Sequence, residues 1–432
     1  MISYQIKKGI NGMPNIPGDK SISHRSIIIP SISNGICEIN NILKSDDVLH
    51  TLNAFKLMGV KIEENNKKLI IYGKGLNSLK KSLNKIYLGN SGTSARLLTG
   101  LLAAQKFNSI LTGDSSLSKR PMKRISDPLS KMNAIIETTN GSLPITIHKS
   151  NLEAKNIELE IPSAQIKSGL MLASLNIPGE TVIIENKVTR DHTEIMLKAF
   201  GADIDIKKMD NKKLIKIKGQ KELISKNIDV PNDLSSSAFF IVATLINYNS
   251  QIRLKNINYN PTRNGLILAL KKMGANIELI NQRTVNNENI CDIEVAYSEL
   301  NGCELSKEFA DLMIDEYPIL AVAAAFAKSP SIFRGLKELR VKESDRLKLI
   351  LLNLQNCGVD CREENNNLYI FPANNYQVKK NIIKTDFDHR IAMAFGVMGT
   401  KIGPLKIKDS ISIHTSFPTF KNEFNKLGGQ IF

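Results

Sequence analysis

Six times along the chain an apolar stretch of helical spacing runs into one small residue and leaves as a strand-like stretch. The copies read FKLMGVKI, LSKMNAII, LKAFGADI, LKKMGANI, LQNCGVDC and FNKLGGQI, with Gly59, Asn133, Gly201, Gly274, Gly358 and Gly428 at the break. The breaks fall about 70 to 85 residues apart, a period that marks repeated supersecondary units. Gly, and next best Asn, tolerates the left-handed conformation that stops a helix. Each break therefore predicts a helix C-terminus followed by a strand, as in GVKIEENNKKLIIYG, where a turn and a second strand follow.

A second series lies between the first. Polar clusters lead into apolar segments rich in small residues: GDKSISHRSIIIPSIS from Gly18, GNSGTSARLLTGLLAA from Gly89 and PSAQIKSGLMLASL from Pro162. NDLSSSAFFIVATLI from Asn232, DEYPILAVAAAFA from Asp315 and DHRIAMAFGVMG from Asp388 continue it. Segments apolar on every face predict buried helices. Their N-termini carry unpaired N–H groups and the positive end of the helix dipole, so several gathered at one cleft would bind a densely anionic ligand. For any single cluster, plain N-capping explains the residues as well.

Six units divide into two three-unit domains of α/β (α+β) class. The third unit ends near Lys212–Gly219 and the fourth opens near Asp233, which puts the boundary at about residues 225 to 232. The last unit stops at GGQIF, whereas Ile2 to Lys8 is strand-like with no helix before it. The expected domains are therefore 15–230, and 231–432 completed by residues 1–14, with two crossings that form a hinge.

The formal charge of +16 suits anionic substrates. Nucleic acid is not expected as a partner, because no long basic run occurs and Trp is absent. The odd set Cys37, Cys291, Cys303, Cys357 and Cys361 has no CxxC pair, which predicts reduced thiols, no metal site and a cytoplasmic location. The longest apolar run, Pro318 to Ala327, is too short to span a bilayer, and MISYQIKKGI lacks the core of a signal peptide. Asn281 to Asn289 is expected to be a solvated hairpin loop.

Candidate chemistry collects in the polar clusters. If RVKESDR were helical, Glu343 and Arg346 would be i,i+3 neighbours and Lys342 and Arg346 i,i+4, either as an exposed ion-pair helix or as cations around an anion. Asp388, His389 and Arg390 head one buried segment. Asp315 and Glu316 head another, as caps or, for Asp315, as a general base. In the first half, a helix starting near Ser21 would put Ser21 and Arg25 on one face with Lys20 at its mouth. Gly89 to Arg96 forms a backbone-donor cradle without the lysine of a Walker loop. Arg120, Ser163, Gln165 and the TRDHTE segment with Arg190, Asp191 and His192 complete a cleft rich in cations.

LGNSGTSARLL, GDSSLSKRPM, RDHTE, IDEYPILAVAAAFA, RVKESDR and DHRIAMA occur in that order, and together they make the chain resemble the enolpyruvyl transferases almost end to end. The resemblance implies two domains, each of three βαβαββ units around buried parallel helices, closing on substrates in an interdomain cleft. It is closest to the branch that moves the enolpyruvyl group of phosphoenolpyruvate to the 5-hydroxyl of shikimate 3-phosphate, with no organic cofactor. That activity belongs to the route to chorismate and the aromatic amino acids, and a monomer is expected.

Carried onto matching positions, the resemblance makes Lys20, Ser21, Arg25, Ser163, Gln165, Asp315 and Lys342 ligands of shikimate 3-phosphate. Lys20, Gly92, Arg120, Gln165, Arg346 and Arg390 would hold phosphoenolpyruvate. Asp315 would take the hydroxyl proton, Glu343 would exchange a proton with the methylene, and Lys20 would assist. Two positions depart from the pattern. His414, Thr415 and Ser416 stand where some members carry a Lys, and Ala164 replaces a second Ser, for which Arg190 is the candidate substitute. Two other functions remain as alternatives. The sister transferase acting on UDP-N-acetylglucosamine typically has a reactive Cys in the loop that here runs from Gly113 to Pro121 without one. A non-catalytic polyanion-binding module would need no acid or base. The resemblance further implies sensitivity to glyphosate, since tolerant members typically carry Ala where this chain has Gly92.

Overall fold

The computed structural model describes residues 1–65, 68–209, 212–373 and 375–432. The turn expected in EENNKK, at residues 66–67, lies outside them. The chain forms two compact units. One comprises Gly18–Val230 with Val285–Glu288, and the other Met1–Pro17, Pro231–Thr284 and Asn289–Phe432.

All six breaks are helix stops of one kind. Gly59, Asn133, Gly201, Gly274, Gly358 and Gly428 have φ of 83°, 68°, 91°, 90°, 82° and 104°. At each, the break N–H bonds the carbonyl three residues back and the next N–H bonds the carbonyl five back, as in Gly59 to Lys56 at 3.0 Å and Val60 to Phe55 at 3.0 Å. This is the Schellman closure, which satisfies carbonyls that the helix leaves orphaned.

Each unit holds three sheets with one repeated strand order: a parallel pair, then two antiparallel neighbours. In the first, Ile228–Asp229 lies parallel to Asn34–Asn40, which pairs with Lys68–Lys74, which pairs with Lys61–Asn65. Ile86–Tyr87, Ser109–Thr112, Ser142–His148 and Ile135–Thr139 repeat the order, as do Asn156–Leu159, Glu180–Glu185, Lys212–Lys218 and Asp203–Met209. In the other unit, Asn11–Gly12 and Gln251–Asn258 form a parallel pair, as do Glu304–Leu305 and Ser331–Phe333. The last sheet pairs Ile382–Ile383 with Leu405–Ile407 in parallel, then adds Ile2–Ser3 antiparallel, and Ser3 bridges to Ile431. The N-terminal strand is thus two residues long rather than the expected Ile2 to Lys8. Beyond it, the backbone of Tyr4 and Ile6 bonds single carbonyls of Gln430 and Thr400 instead of a continuous partner.

The apolar segments are buried helices: Lys20–Ser31, Gly92–Ala103 and Ala164–Ser174 in one unit, Leu234–Ile246, Tyr317–Ala325 and His389–Ile402 in the other. Small residues let them touch backbone to backbone. A Cβ placed on Gly100 would lie 1.9 Å from the Gly169 carbonyl oxygen. Side chains of Asp19, Ser91, Ser163, Asp233 and Asp388 cap five of the six helices, so the plain capping role is real for those.

Asn281 to Asn289 is a largely exposed hairpin, as expected, but its loop is far shorter than that span. Strands Asn276–Val285 and Glu288–Ala296 run through it, leaving a two-residue turn at Asn286 and Asn287 with φ of 50° and 64°. Two residues with positive φ match the twist of a hairpin, and Asn tolerates both positions. No helix among the described residues is long and apolar enough to cross a membrane.

All five cysteines are buried free thiols. Burial pushes Cys37, Cys291, Cys357 and Cys361 up to about 12 and Cys303 up to about 11, from 9.0. Native protein at pH 8 is therefore expected to leave all five unreacted with a thiol-specific disulfide reagent, and denatured protein to titrate five. Because the unfolded thiols ionise first, stability should fall as pH rises from about 9 toward 12. Rapid native reaction of any one thiol would contradict this burial.

Candidate active site

In the unit formed by Gly18–Val230, three helix N-termini carry the candidate residues. Asp19 caps the first helix by accepting from the Ile22 N–H at 2.9 Å, which makes Lys20 the first helical residue rather than a flanking one. Lys20 pairs with Asp47, at the start of helix Asp46–Leu57. One turn on, Arg25 is buried. Its Nε donates to Thr193 Oγ1 at 2.6 Å, Nη1 to the Ser21 carbonyl at 2.9 Å and Nη2 to Ser168 Oγ at 2.8 Å. Burial lowers the Arg25 guanidinium to about 10, opposed by Glu194 and Asp19 and assisted by Arg190, so it remains charged at neutral pH.

Gly92 opens the second helix, capped by Ser91. Arg120 follows the turn Leu117–Lys119 and donates to the Asn90 side chain. Ser163 caps the third helix, and Gln165 in its first turn accepts from Arg96 and donates to Thr93 Oγ1 at 2.9 Å. Arg96 was not among the residues expected from sequence. It is buried, and a Cβ on Gly92 would lie 3.2 Å from its Nη1 and 2.9 Å from Arg120 Nη1. Its position four residues after Gly92, one helical turn, was the available signal.

A buried polar chain supports the Gly92 turn. His24 Nδ1 lies 2.8 Å from Thr51 Oγ1, Thr51 Oγ1 lies 2.6 Å from Ser94 Oγ, and Ser94 Oγ lies 2.6 Å from Ser91 Oγ. Burial, helped by Lys20 and Arg25, holds the His24 imidazole well below its usual range, so it is neutral. Arg190 precedes helix His192–Ala199, two residues before its first residue.

In the other unit, Arg346 is the centre. Its side chain is 1% exposed, and each nitrogen faces a carboxylate. Nε lies 2.8 Å from Asp388 Oδ2, Nη1 lies 3.0 Å from Asp315 Oδ1, and Nη2 pairs with Glu343. Lys342 Nζ reaches the same Asp315 oxygen at 3.4 Å. The cations at 342 and 346 therefore share a protein carboxylate, and the exposed ion-pair helix is excluded. RVKESDR is not helical through 342–345 either. A 3-10 turn, Lys337–Val341, ends before Lys342, and the next helix starts at Arg346 with Asp345 as its cap. Arg340 draws the connection in by pairing with Asp345 at 3.0 Å and Glu363 at 2.9 Å.

Asp315 is not a cap: Glu316 occupies the N-cap position of Tyr317–Ala325, and the Asp315 side chain turns to Arg346. Arg390 Nη1 donates to the Asp315 carbonyl at 3.1 Å and to Glu316 Oε1 at 3.3 Å. Glu316 also accepts from Ser235, which Arg263 contacts at 2.7 Å. Asp315, Lys342, Glu343 and Arg346 thus form one connected charge network, which Arg390 joins through the Asp315 backbone carbonyl. His389 Nδ1 lies 3.3 Å from Thr415 Oγ1, at the position without a lysine. Among the described residues no group of His, Cys, Asp and Glu could hold a metal ion.

The family model for EPSP synthase (3-phosphoshikimate 1-carboxyvinyltransferase) matches residues 4–424. A 3-phosphoshikimate 1-carboxyvinyltransferase of Vesicomyosocius okutanii is 45% identical over 422 residues, 97% of this chain and 96% of that protein. The enzyme of the same name from Hydrogenovibrio crunogenus is 42% identical over 435 residues, 99% of this chain and 97% of that one. Among solved structures, an EPSP synthase from Acinetobacter baumannii aligns with a TM-score of 0.86 at 41% identity, over 99% of this chain and 98% of its own.

Proposed function

The chain belongs to the EPSP synthase family, and from that membership we infer that it transfers the enolpyruvyl group of phosphoenolpyruvate to the 5-hydroxyl of shikimate 3-phosphate. The observation that carries a catalytic rather than a purely anion-binding reading is the carboxylate pair Asp315 and Glu343 held on one buried guanidinium, Arg346. A polyanion-binding module has no use for two carboxylates beside its cations.

The atoms balance as an addition followed by an elimination. The 5-hydroxyl oxygen bonds to the central carbon of phosphoenolpyruvate while the methylene takes a proton and becomes methyl. Phosphate then leaves as the methyl returns a proton and the carbon–carbon double bond reforms. One group must accept the hydroxyl proton and another must give and retake the carbon proton. We assign Asp315 to the first task and Glu343 to the second. Lys20, Ser21, Arg25, Ser163, Gln165, Arg190 and Lys342 are assigned to shikimate 3-phosphate, and Lys20, Gly92, Arg120, Gln165, Arg346 and Arg390 to phosphoenolpyruvate. Cations aimed at phosphate and carboxylate oxygens stabilise the charge that develops as phosphate departs. The same reading takes a monomer as the working form and the cytoplasm as the location, the latter because charged phosphates keep both substrates from crossing a membrane unaided.

Phosphate release from phosphoenolpyruvate with shikimate 3-phosphate tests the assignment. Turnover is expected with that pair and not with UDP-N-acetylglucosamine, and the reverse result would transfer the chain to the sister activity. Silence with both acceptors would favour the binding module.

Glyphosate, a small anion directed to the phosphoenolpyruvate residues, is expected to inhibit. In Gly92→Ala, the new methyl would press on Arg120 Nη1 and Arg96 Nη1, flexible ends that can yield by a few tenths of an ångström. Inhibition should weaken by about tenfold or more, with the KM for phosphoenolpyruvate rising about threefold or less. Matching inhibition curves for wild type and variant would sink this steric argument.

A further inference from the structure

Beneath the start of helix Ala164–Ser174 lie four charged side chains with almost no contact with solvent: Lys167, Glu185, Glu194 and Lys213. Lys167 Nζ is 2.7 Å from Glu194 Oε1 and 3.1 Å from Glu185 Oε2, and Lys213 Nζ is 3.1 Å from Glu194 Oε1. Burial opposes the charge on Lys167, yet the two glutamates outweigh it and hold the ammonium above its usual range. Burial likewise opposes ionisation of Glu194, but Lys167 and Lys213 prevail and hold its carboxyl below the usual range.

Such a cluster is a costly way to fill space. Apolar residues of the same volume would hold the fold as well or better. The cluster does one thing that apolar packing cannot. Lys167 Nζ donates its remaining bond to the Thr189 carbonyl at 3.2 Å, and Thr189 Oγ1 donates to Glu185 Oε1 at 2.5 Å. Residues 186–188 are exposed, and Thr189 is the buried point where that turn is tied down. Arg190 is the next residue. Thr193, three residues past Arg190, and Ser168, next to Lys167 on its helix, hold Arg25, whose guanidinium feels the charge of Arg190. Two neighbouring cations repel one another, so a rigid support is needed to hold them side by side.

We propose that Lys167 is a positioning residue: by fixing the Thr189 carbonyl it sets Arg190 beside Arg25 to receive the phosphate of shikimate 3-phosphate. The inference rests on the function assigned above. Ser163 and Gln165 lie on the same helix, so one buried ammonium ties two stretches of the phosphate-binding set to a common base.

The test uses the charge-balanced pair Lys167→Met/Glu194→Gln and a cycle with Arg190→Ala. In the folded double variant, the KM for shikimate 3-phosphate should rise about tenfold while that for phosphoenolpyruvate stays within about twofold. In an Arg190→Ala background the added penalty should vanish, because Lys167 acts through Arg190. An unchanged KM for shikimate 3-phosphate, or a penalty that multiplies with that of Arg190→Ala, would overturn the proposal. Should the double variant fail to fold, Lys167→Arg keeps the buried charge but displaces the single donor aimed at the Thr189 carbonyl. It should raise the same KM about threefold, and no selective rise would overturn the proposal. Wild-type turnover of the same two substrates is measured alongside, so a failure of the assigned function would show there instead.

Discussion

Asp315→Asn and Glu343→Gln are each expected to cut turnover about a hundredfold or more, with far smaller changes in substrate binding. Both replacements keep shape and hydrogen-bonding reach but remove the ability to accept a proton. The Asp315 change also alters its surroundings. In wild type one Asp315 oxygen lies 3.0 Å from Arg346 and 3.4 Å from Lys342, so asparagine leaves two cations without that charge. Anionic substrates can then bind as well as before, or better, while the chemical step fails. Steady-state kcat and both KM values separate these effects. Near wild-type kcat in either variant would remove that residue from its assigned role.

Arg346→Met should be the most damaging single change to stability. It would leave Asp315, Glu343 and Asp388 grouped without their shared cation, with Asp388 fully buried. Burial works against the Arg346 charge, but Asp388, Glu343 and Asp315 prevail and raise its guanidinium well above the ordinary range, so the cation is never lost by titration. Removing one partner of a buried ion pair typically costs about 3–5 kcal/mol, because the other charges stay buried and uncompensated. Arg346→Lys should recover part of this loss, since an ammonium cannot face three carboxylates in one plane. Urea unfolding of the three proteins gives the order directly. A melt of Arg346→Met indistinguishable from wild type would mean that the carboxylates do not depend on this cation.

What was legible in the sequence was local. A left-handed residue at a helix end is a property of that residue, so Gly59, Asn133, Gly201, Gly274, Gly358 and Gly428 could be read one at a time. Buried helices announce themselves by apolar residues on every face, and the capping residues Asp19, Ser91, Ser163, Asp233 and Asp388 stand directly before them. Asp345, an acid just ahead of the apolar run LKLILL, offered the same signal and shows why RVKESDR is not one helix.

Only the tertiary structure decided which groups meet. Arg25 finds Ser168 and Thr193, which lie 143 and 168 residues further along the chain. Arg346 gathers Asp315 and Asp388 from 31 residues before it and 42 after it. That the N-terminal strand completes the last unit was expected, but its partner, Leu405–Ile407, is named by no pattern in either segment. The physical reason is one of range. Backbone preference and amphipathic period act over a turn or a strand, and a single chain displays them in order. The partner of a buried charge is set by how whole elements pack, because burial demands compensation but does not say from where in the chain it must come.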